Sequence, residues 1–261
     1  MPQKIHDSAI INPDAVIAAD VEVGAFTIIE DGVTIGKGSI IHSHVHLLGE
    51  VAIGENCEIW PGAVIGGDPQ SVDFDSRVSS GIVIGNNNTL RENVTIHRSM
   101  NEGEKTVIGD ENFLMANAHI GHDSIIGDNN VIANNTMFGG HVLMGNRCFL
   151  GGGTAIHQFA RIGDLVISQG NSATSLDIPP YLIVSSVNYI SGLNAIGMRR
   201  AGFDAATRRE IKRAYLLFYQ QGLNRQQALD MADKESWGNE AQVFINFLRQ
   251  KSKLGYCLRT K

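Results

Sequence analysis

The chain has 261 residues, 18% of them charged, with 29 Gly and 6 Pro; this length fits one elongated domain or two small ones. The net charge of −6 is uneven, since residues 191–261 hold 13 basic and 6 acidic residues while the rest hold 8 basic and 21 acidic. A basic end on an acidic body argues against general nucleic-acid binding and suits an acidic partner docking near the C-terminal part. No apolar run approaches the ~18 residues that span a bilayer, and Met1–Asp7 carry no charged-then-apolar signal pattern. A soluble, cytoplasmic protein is expected.

From about residue 5 to 65 an aliphatic residue falls at every sixth position: Ile11, Ile17, Val23, Ile29, Ile35, Ile41, Leu47, Ile53, Ile59 and Ile65. Four residues after many of these comes a small or β-branched residue, such as Val21, Thr27, Val33, Val45 and Cys57. A helix needs a period of ~3.6 and a simple strand one of 2. Hexads with turn residues between them predict a parallel β-helix, in which each hexad is one short strand plus one corner and roughly 18 residues close a triangular coil. In that phase Val45 points inward, and His42, His44 and His46 project around a corner as surface or interface histidines. Cys57 and Cys148 take inward positions several coils apart and are expected to be buried, reduced thiols, as is Cys257.

The pattern breaks from Gly66 to Gly81, a stretch rich in Gly, Pro, Asp and Ser, and again over residues 98–106. An excursion as long as the first in a rigid solenoid is expected to cover a binding cleft. Hexads return from Ile108 to Ile162, with Asn117, Asn129, Asn130, Asn134, Asn135 and Asn146 at or near corners as structural residues. After Ile167 the repeat decays, and from about Asn194 a helical pattern takes over. Asp204 and Asn224 are expected helix N-caps and Gly222 a helix end. The inward faces are expected to be Ile211, Ala214, Tyr215 and Phe218, then Ala228, Leu229 and Met231, then Val243, Phe244 and Phe247. We expect a β-helix over residues 1–190 and a small helical domain over 191–261.

With residues ~18 apart stacked, and coils ~4.8 Å apart, His122 lies below Gly140, Gly140 below Gln158, and Asp123 below His141. A base, an orienting carboxylate and a second imidazole thus converge on one edge. Gly140 leaves side-chain space beside His122, and its N–H is a candidate oxyanion donor. A neutral imidazole is suited to removing a proton near pH 7.

Thr95-Ile96-His97-Arg98, Ala118-His119-Ile120-Gly121-His122-Asp123, Ala133-Asn134-Asn135, Gly140-His141-Val142, His157-Gln158-Phe159 and Arg200 ahead of Gly202-Phe203 together resemble the acyl-carrier-protein–UDP-N-acetylglucosamine O-acyltransferases. The resemblance runs over nearly the whole length. It implies a left-handed coil, a homotrimer with sites between subunits, and no cofactor or metal. It further implies that His122 deprotonates the 3-hydroxyl of UDP-N-acetylglucosamine for attack on the thioester of a 3-hydroxyacyl carrier protein, the first acylation of lipid A synthesis. Asp123 would orient His122, His119 and His141 would position donor or sugar, and His157 and Gln158 would contact the acyl donor. Arg200 suits a phosphate, Gly170 falls where the family places an acyl-chain gauge, and Gln70 and Asn194 match nucleotide or donor contacts. Ser71, Val72, Asp73 and Phe74 replace the Asp-Leu-Lys-Tyr usual after Gln70, and Ile196 stands where many members carry Glu. A 3-amino sugar nucleotide, giving an amide, is therefore an alternative acceptor. Two other readings are a zinc hydratase of the γ-carbonic-anhydrase kind, with three His ligands drawn from across a trimer, and a non-catalytic scaffold.

Overall fold

The computed structural model describes residues 4–257; Met1, Pro2 and Gln3 of the N-terminal stretch considered above lie outside them. Among the described residues the strands form three sheets of 11, 9 and 8 strands. They begin with Lys4–Ile5, Ile10–Ile11 and Val16–Ile17 and are called here the first, second and third faces. The chain visits the faces in rotation, and the pairing within each is parallel until the last strand. Regular coils pair residues 18 apart, as in Lys4 with Glu22 and His119 with Met137. Thus the hexad is a strand of about two residues plus a corner, three times per coil.

The hexad aliphatics fill the interior: Leu90, Ile96, Leu114, Ile120 and Ile132 are fully buried. The second inward column is equally closed, with Val21, Thr27, Val33, Ala118, Ser124 and Thr136 all at 0% exposure. Its hydroxyls find corner carbonyls, for instance Thr27 Oγ1 donating to His42 O at 2.6 Å, as buried polar groups generally must. Asn130, expected near a corner, instead belongs to this inward column. The N–H groups of Asn112, Asn130 and Cys148 donate in turn to the side-chain oxygens of Asn88, Asn112 and Asn130 at 2.8–2.9 Å. Corners need a residue with positive φ, and Asn87, Asn93, Asn117, Asn129, Asn135 and Asn171 supply it at 56–61°, a region Asn tolerates better than most residues. Cys57, Cys148 and Cys257 are buried and unpaired. His42 and His46 pair with Glu58 and Glu30 at 2.9 and 3.0 Å, and His44 stacks on Phe26.

Both excursions are slightly shorter than expected. Strand pairing reaches Gly67 and resumes at Gly81, so the first covers 68–80. Lys105 and Thr106 already pair with Gly81 and Ile82, so the second covers 98–104. Register confirms the insertions: Val64 pairs with Thr95 and Thr95 with His119, separations of 31 and 24 residues. Both leave the prism between a second-face strand and a third-face strand, which is one and the same edge.

Strands persist to Leu193, past the expected limit at 190, because Leu182–Ser185 turns back antiparallel onto Tyr189–Leu193. Four helices follow: α1 (Ala195–Arg200), α2 (Ala205–Tyr219), α3 (Arg225–Ala232) and α4 (Asn239–Arg249). Asp204 caps α2, and Asn224 with Gln227 closes a capping box on α3. Helix α2 stops at Tyr219 with Gln220 as its C-cap, ahead of the positive-φ Gly222. Two expected core residues are exposed. Helix α3 buries Ala228, Leu229 and Ala232 and leaves Met231 at 40%; α4 buries Ala241, Phe244, Ile245 and Leu248 and leaves Val243 at 43%. Each lies off the stripe that a 3.6-residue period turns inward. Arg161, on the last third-face strand, ties this end down through Asp177 (2.7 Å) and Gln250 Oε1 (2.6 Å).

Candidate active site

Upward along the edge between the second and third faces come the two excursions, then His122-Asp123, Gly140-His141 and Gln158-Phe159. His122 and Asp123 follow the second-face strand His119–Ile120 and precede the third-face strand Ile125–Ile126. Asp123 takes the positive-φ corner position (60°), as do His141 and Phe159 on the coils above (59° and 67°). That backbone turn sends the Asp123 carboxylate back beside the preceding imidazole, and His122 Nδ1 lies 2.6 Å from Asp123 Oδ2. With Nδ1 held by the carboxylate, the neutral ring presents its Nε2 lone pair.

The Asp123 carboxylate is held from several sides. Ser99 Oγ donates to Oδ1 in a short hydrogen bond and Asn101 Nδ2 donates to the same oxygen at 3.1 Å. Met100 N–H donates to Oδ2 at 3.2 Å, and Asp123 N–H donates to Thr106 Oγ1 at 2.8 Å. Burial opposes the charged carboxylate, but the hydrogen bonds from Ser99, His122 and Met100 outweigh it and hold Asp123 below the usual carboxylate range. Apart from His122, these donors were not identified from sequence: Ser99, Met100 and Asn101 lie in an excursion without repeat phase, and no spacing rule points them at residue 123.

The expected stacking is present. A Cβ on Gly140 would lie 2.4–2.5 Å from His122 Cε1 and Nε2, so only Gly leaves the imidazole its place. Among the described residues Gly140 N–H donates to no protein acceptor, whereas the neighbouring Gly139 N–H donates to Ile156 O. His141 stacks on Phe159 at 4.5 Å, stands edge-on to His122 at 5.1 Å, and has Nε2 3.7 Å from Asp123 Oδ2. Burial lowers its pKa, against the pull of Asp123.

Below His122, His119 Nδ1 pairs with Thr95 Oγ1 at 2.7 Å, and its ring meets His97 at 4.7 Å. Burial, with the adjacent His97 and His122, pushes His119 down to about 4, and burial also lowers His97. Both are therefore neutral donors or acceptors at neutral pH. His97 belongs to this cluster although sequence reasoning gave it no role; its place at the end of the second-face strand Thr95–His97, directly before the second excursion, was the available signal.

His122, Asp123 and His141 offer metal-binding atoms within 4.8 Å of one another. Their chemistry fits a metal poorly, because the lone pairs of Asp123 are taken by Ser99, Asn101, Met100 and His122. His119 lies outside that cluster, so the three-imidazole set of the zinc reading does not form on one prism.

The other predicted residues are spread over the molecule. Gln158 and His157 are exposed on the coil above Gly140, with His157 Nδ1 2.9 Å from Gln158 O. Gln70 is exposed in the first excursion, which Arg98 staples through Asp68 (2.8 Å), Ser76 O (2.9 Å) and Val78 O, with its guanidinium over Phe74. Gly170 lies on a different edge, between the first and second faces, 3.2 Å from Gly152 O when given a Cβ. Arg200 lines a cleft of about 490 Å³ with Arg147, Phe149, Leu165, Ile167 and Asn194, on the first-face side. Asn194 is 3% exposed: its side-chain oxygen caps α1 at Gly197 N–H and its amide donates to Leu165 O, both at 2.8 Å. Its visible work is therefore to position α1. A single prism brings together His119, His122, Asp123, Gly140, His141, His157 and Gln158, but not Gly170, Asn194 or Arg200.

Known proteins share this fold and much of this sequence. Residues 177–257 match the family model described as UDP N-acetylglucosamine O-acyltransferase, domain 2, and residues 32–67 and 105–140 match bacterial transferase hexapeptide repeats. The chain is 42% identical over 234 residues to the acyl-[acyl-carrier-protein]–UDP-N-acetylglucosamine O-acyltransferase of Thermodesulfovibrio yellowstonii, covering 89% of this chain and 90% of that one. It is 41% identical over 214 residues to the protein of the same name from Sinorhizobium fredii, covering 81% and 79%. The solved structure of LpxA from Acinetobacter baumannii superimposes with a TM-score of 0.92 at 40% identity, covering 98% of this chain and 99% of that one. The fold is thus the left-handed parallel β-helix with a small helical C-terminal part, and the chain belongs to the acyl-[acyl-carrier-protein]–UDP-N-acetylglucosamine O-acyltransferase family.

Proposed function

We propose that this protein transfers a 3-hydroxyacyl chain from acyl carrier protein to the 3-hydroxyl of UDP-N-acetylglucosamine, the first step of lipid A biosynthesis. His122 is the general base. Its Nε2 takes the hydroxyl proton while Asp123 stabilises the imidazolium through Nδ1. The sugar oxygen attacks the thioester carbonyl, and Gly140 N–H donates to the oxyanion. Collapse breaks the C–S bond, and the imidazolium returns its proton to the departing thiolate, giving the carrier-protein thiol. The 2.6 Å contact between His122 Nδ1 and Asp123 Oδ2 carries this reading, because it fixes the tautomer that a base at Nε2 requires.

His119 and His141 position donor or sugar, His157 and Gln158 meet the acyl donor, and Gln70, Asn194 and Arg200 serve the nucleotide or donor end. Gly170 lies on another edge of the prism, and Arg200 ends helix α1 on the first-face side, away from the His122 edge, which supports a homotrimer whose sites draw on two subunits. Val83, Ile125 and Leu143 line the outer third face at 38–50% exposure, an apolar column that subunit packing would bury. Among the described residues no helix is long and apolar enough to cross a membrane, in keeping with a cytoplasmic enzyme using a protein-bound donor.

The test is an acyl-transfer assay with a 3-hydroxyacyl carrier protein, offering UDP-N-acetylglucosamine and its 3-amino analogue side by side. Ester formation is the expected result. Transfer to the amino analogue alone would make Ser71, Asp73 and Ile196 determinants of an amide-forming enzyme, and transfer to neither would overturn the reading.

A further inference from the structure

The second excursion does more than interrupt the coil. Ser99 is fully buried, and its hydroxyl accepts from Asn101 N–H at 3.0 Å while donating to Asp123 Oδ1. Asn101 Nδ2 donates to the same oxygen at 3.1 Å. Oδ1 therefore carries two donors, and Oδ2 is left to Met100 N–H and His122. The excursion is itself braced from below: Ser80 Oγ donates to Ser99 O at 2.6 Å, Arg98 donates to Ser80 Oγ at 3.1 Å, and Gly103 N–H donates to Ser79 O at 2.8 Å. A side chain buried, paired on both sides and braced by a second loop has one orientation available, and that orientation ends on the carboxylate beside the base.

We propose that Ser99, assisted by Asn101, is a positioning residue of the acyl-transfer reaction: it fixes the Asp123 carboxylate and draws charge onto Oδ1, so that Oδ2 orients His122 without over-stabilising its protonated form. The inference rests on the reading of His122 as base. A carboxylate stripped of the Oδ1 donors concentrates charge on Oδ2, and the imidazolium of His122 is then favoured to higher pH. The other groups that face this pair are His141 on the coil above, His97 and His119 on the strand side, and Lys253, which lies 4.8 Å over the Phe159 ring and acts on His141; none of them touches Oδ1.

The experiment compares Ser99→Ala, Asn101→Asp and His122→Ala with the unaltered protein in steady-state acyl transfer across pH. Asn101 is exposed, so Asn101→Asp preserves the fold even if Ser99→Ala does not, and it sets a second carboxylate against Oδ1. Ser99→Ala is expected to lower kcat about tenfold with KM for both substrates within about twofold, as loss of a positioning interaction felt in the transition state should. Both variants are expected to move the acid limb of the kcat profile upward by about 0.5 pH unit or more. Profiles that superimpose on the original, with kcat within about twofold, would overturn the inference. If His122→Ala also remains active, the base assignment itself fails; if His122→Ala is inactive while the other two behave as the original, only the role of Ser99 falls.

Discussion

Two edges of the prism share a backbone and differ in chemistry. On the edge between the third and first faces, the leading corner side chains turn back onto the coil below. Asp128 Oδ1 accepts from Asp110 N–H at 2.8 Å, Asn146 Oδ1 from Asp128 N–H at 2.7 Å, and Asp164 Oδ1 from Asn146 N–H at 2.7 Å. Each of these acceptor oxygens is used in tying its coil to the one below. On the edge between the second and third faces the leading positions are His122, Gly140 and Gln158, and the trailing Asp123 is held from the excursion instead. The imidazole keeps a free nitrogen because its neighbours are glycine and a carboxylate with outside support. The corner geometry is generic, and reactivity arises where the side chains are released from building the coil.

After loss of the base itself, the largest effect that would sharpen this contrast comes from Gly140→Ala. Its Cβ would arrive within 2.5 Å of His122, and the ring must move; a misplacement of about 1 Å at a reacting group costs about 10²-fold in rate. We expect kcat to fall by about that factor with Tm nearly unchanged, measured by turnover and thermal melt. Activity within a few-fold of the original would show that the imidazole has room the structure does not display.

Lowering pH probes the same edge through stability. His119 holds its proton in the folded chain only below about 4, against 6.5 for the free side chain. Between those values the unfolded chain binds the extra proton, so stability is full above about 6.5 and declines as pH falls toward 4, by on the order of 2–3 kcal/mol. His119→Gln should flatten that part of a Tm-against-pH curve. An unchanged slope would move its origin elsewhere.

Asp128→Ala gives the opposite profile to Gly140→Ala. The loss of one side-chain acceptor for a backbone N–H costs about 1 kcal/mol and lowers Tm by about 2–4 °C, with kcat unchanged. A loss of activity there would erase the distinction between the two edges. The subtlest expectation concerns chain length: Gly170→Met should shift preference to shorter acyl donors, by roughly fourfold per methylene from the ~0.8 kcal/mol of each buried CH₂. A flat series over donor length would place the gauge elsewhere.

The coil and the His122–Gly140–Asp123–His141 constellation were legible from sequence because the hexad is a ruler: every sixth residue points inward, and every eighteenth stacks. The caps at Asp204 and Asn224 were legible for the same local reason. Where the ruler stops, legibility stops. Ser99 and Asn101 reach Asp123 across residues out of phase with any repeat. Met231 and Val243 lie off the inward stripes of short helices, where apolar residues without a long periodic context are easily assigned to the wrong face. Asn194 shows a further limit, since a residue matched to a substrate contact is occupied in capping α1.

The most direct measurement is kcat and Tm for His122→Ala, assayed with UDP-N-acetylglucosamine and a 3-hydroxyacyl carrier protein. General-base loss is worth about 10²–10⁴-fold, and His122 lies outside the prism core with its side chain partly exposed. The account predicts a kcat lower by about 10³-fold and a melting curve that overlays the original. A variant that melts normally and still transfers acyl groups at more than a tenth or so of the original rate would contradict it, because among the described residues no other imidazole on this edge has a carboxylate within hydrogen-bond distance of a ring nitrogen.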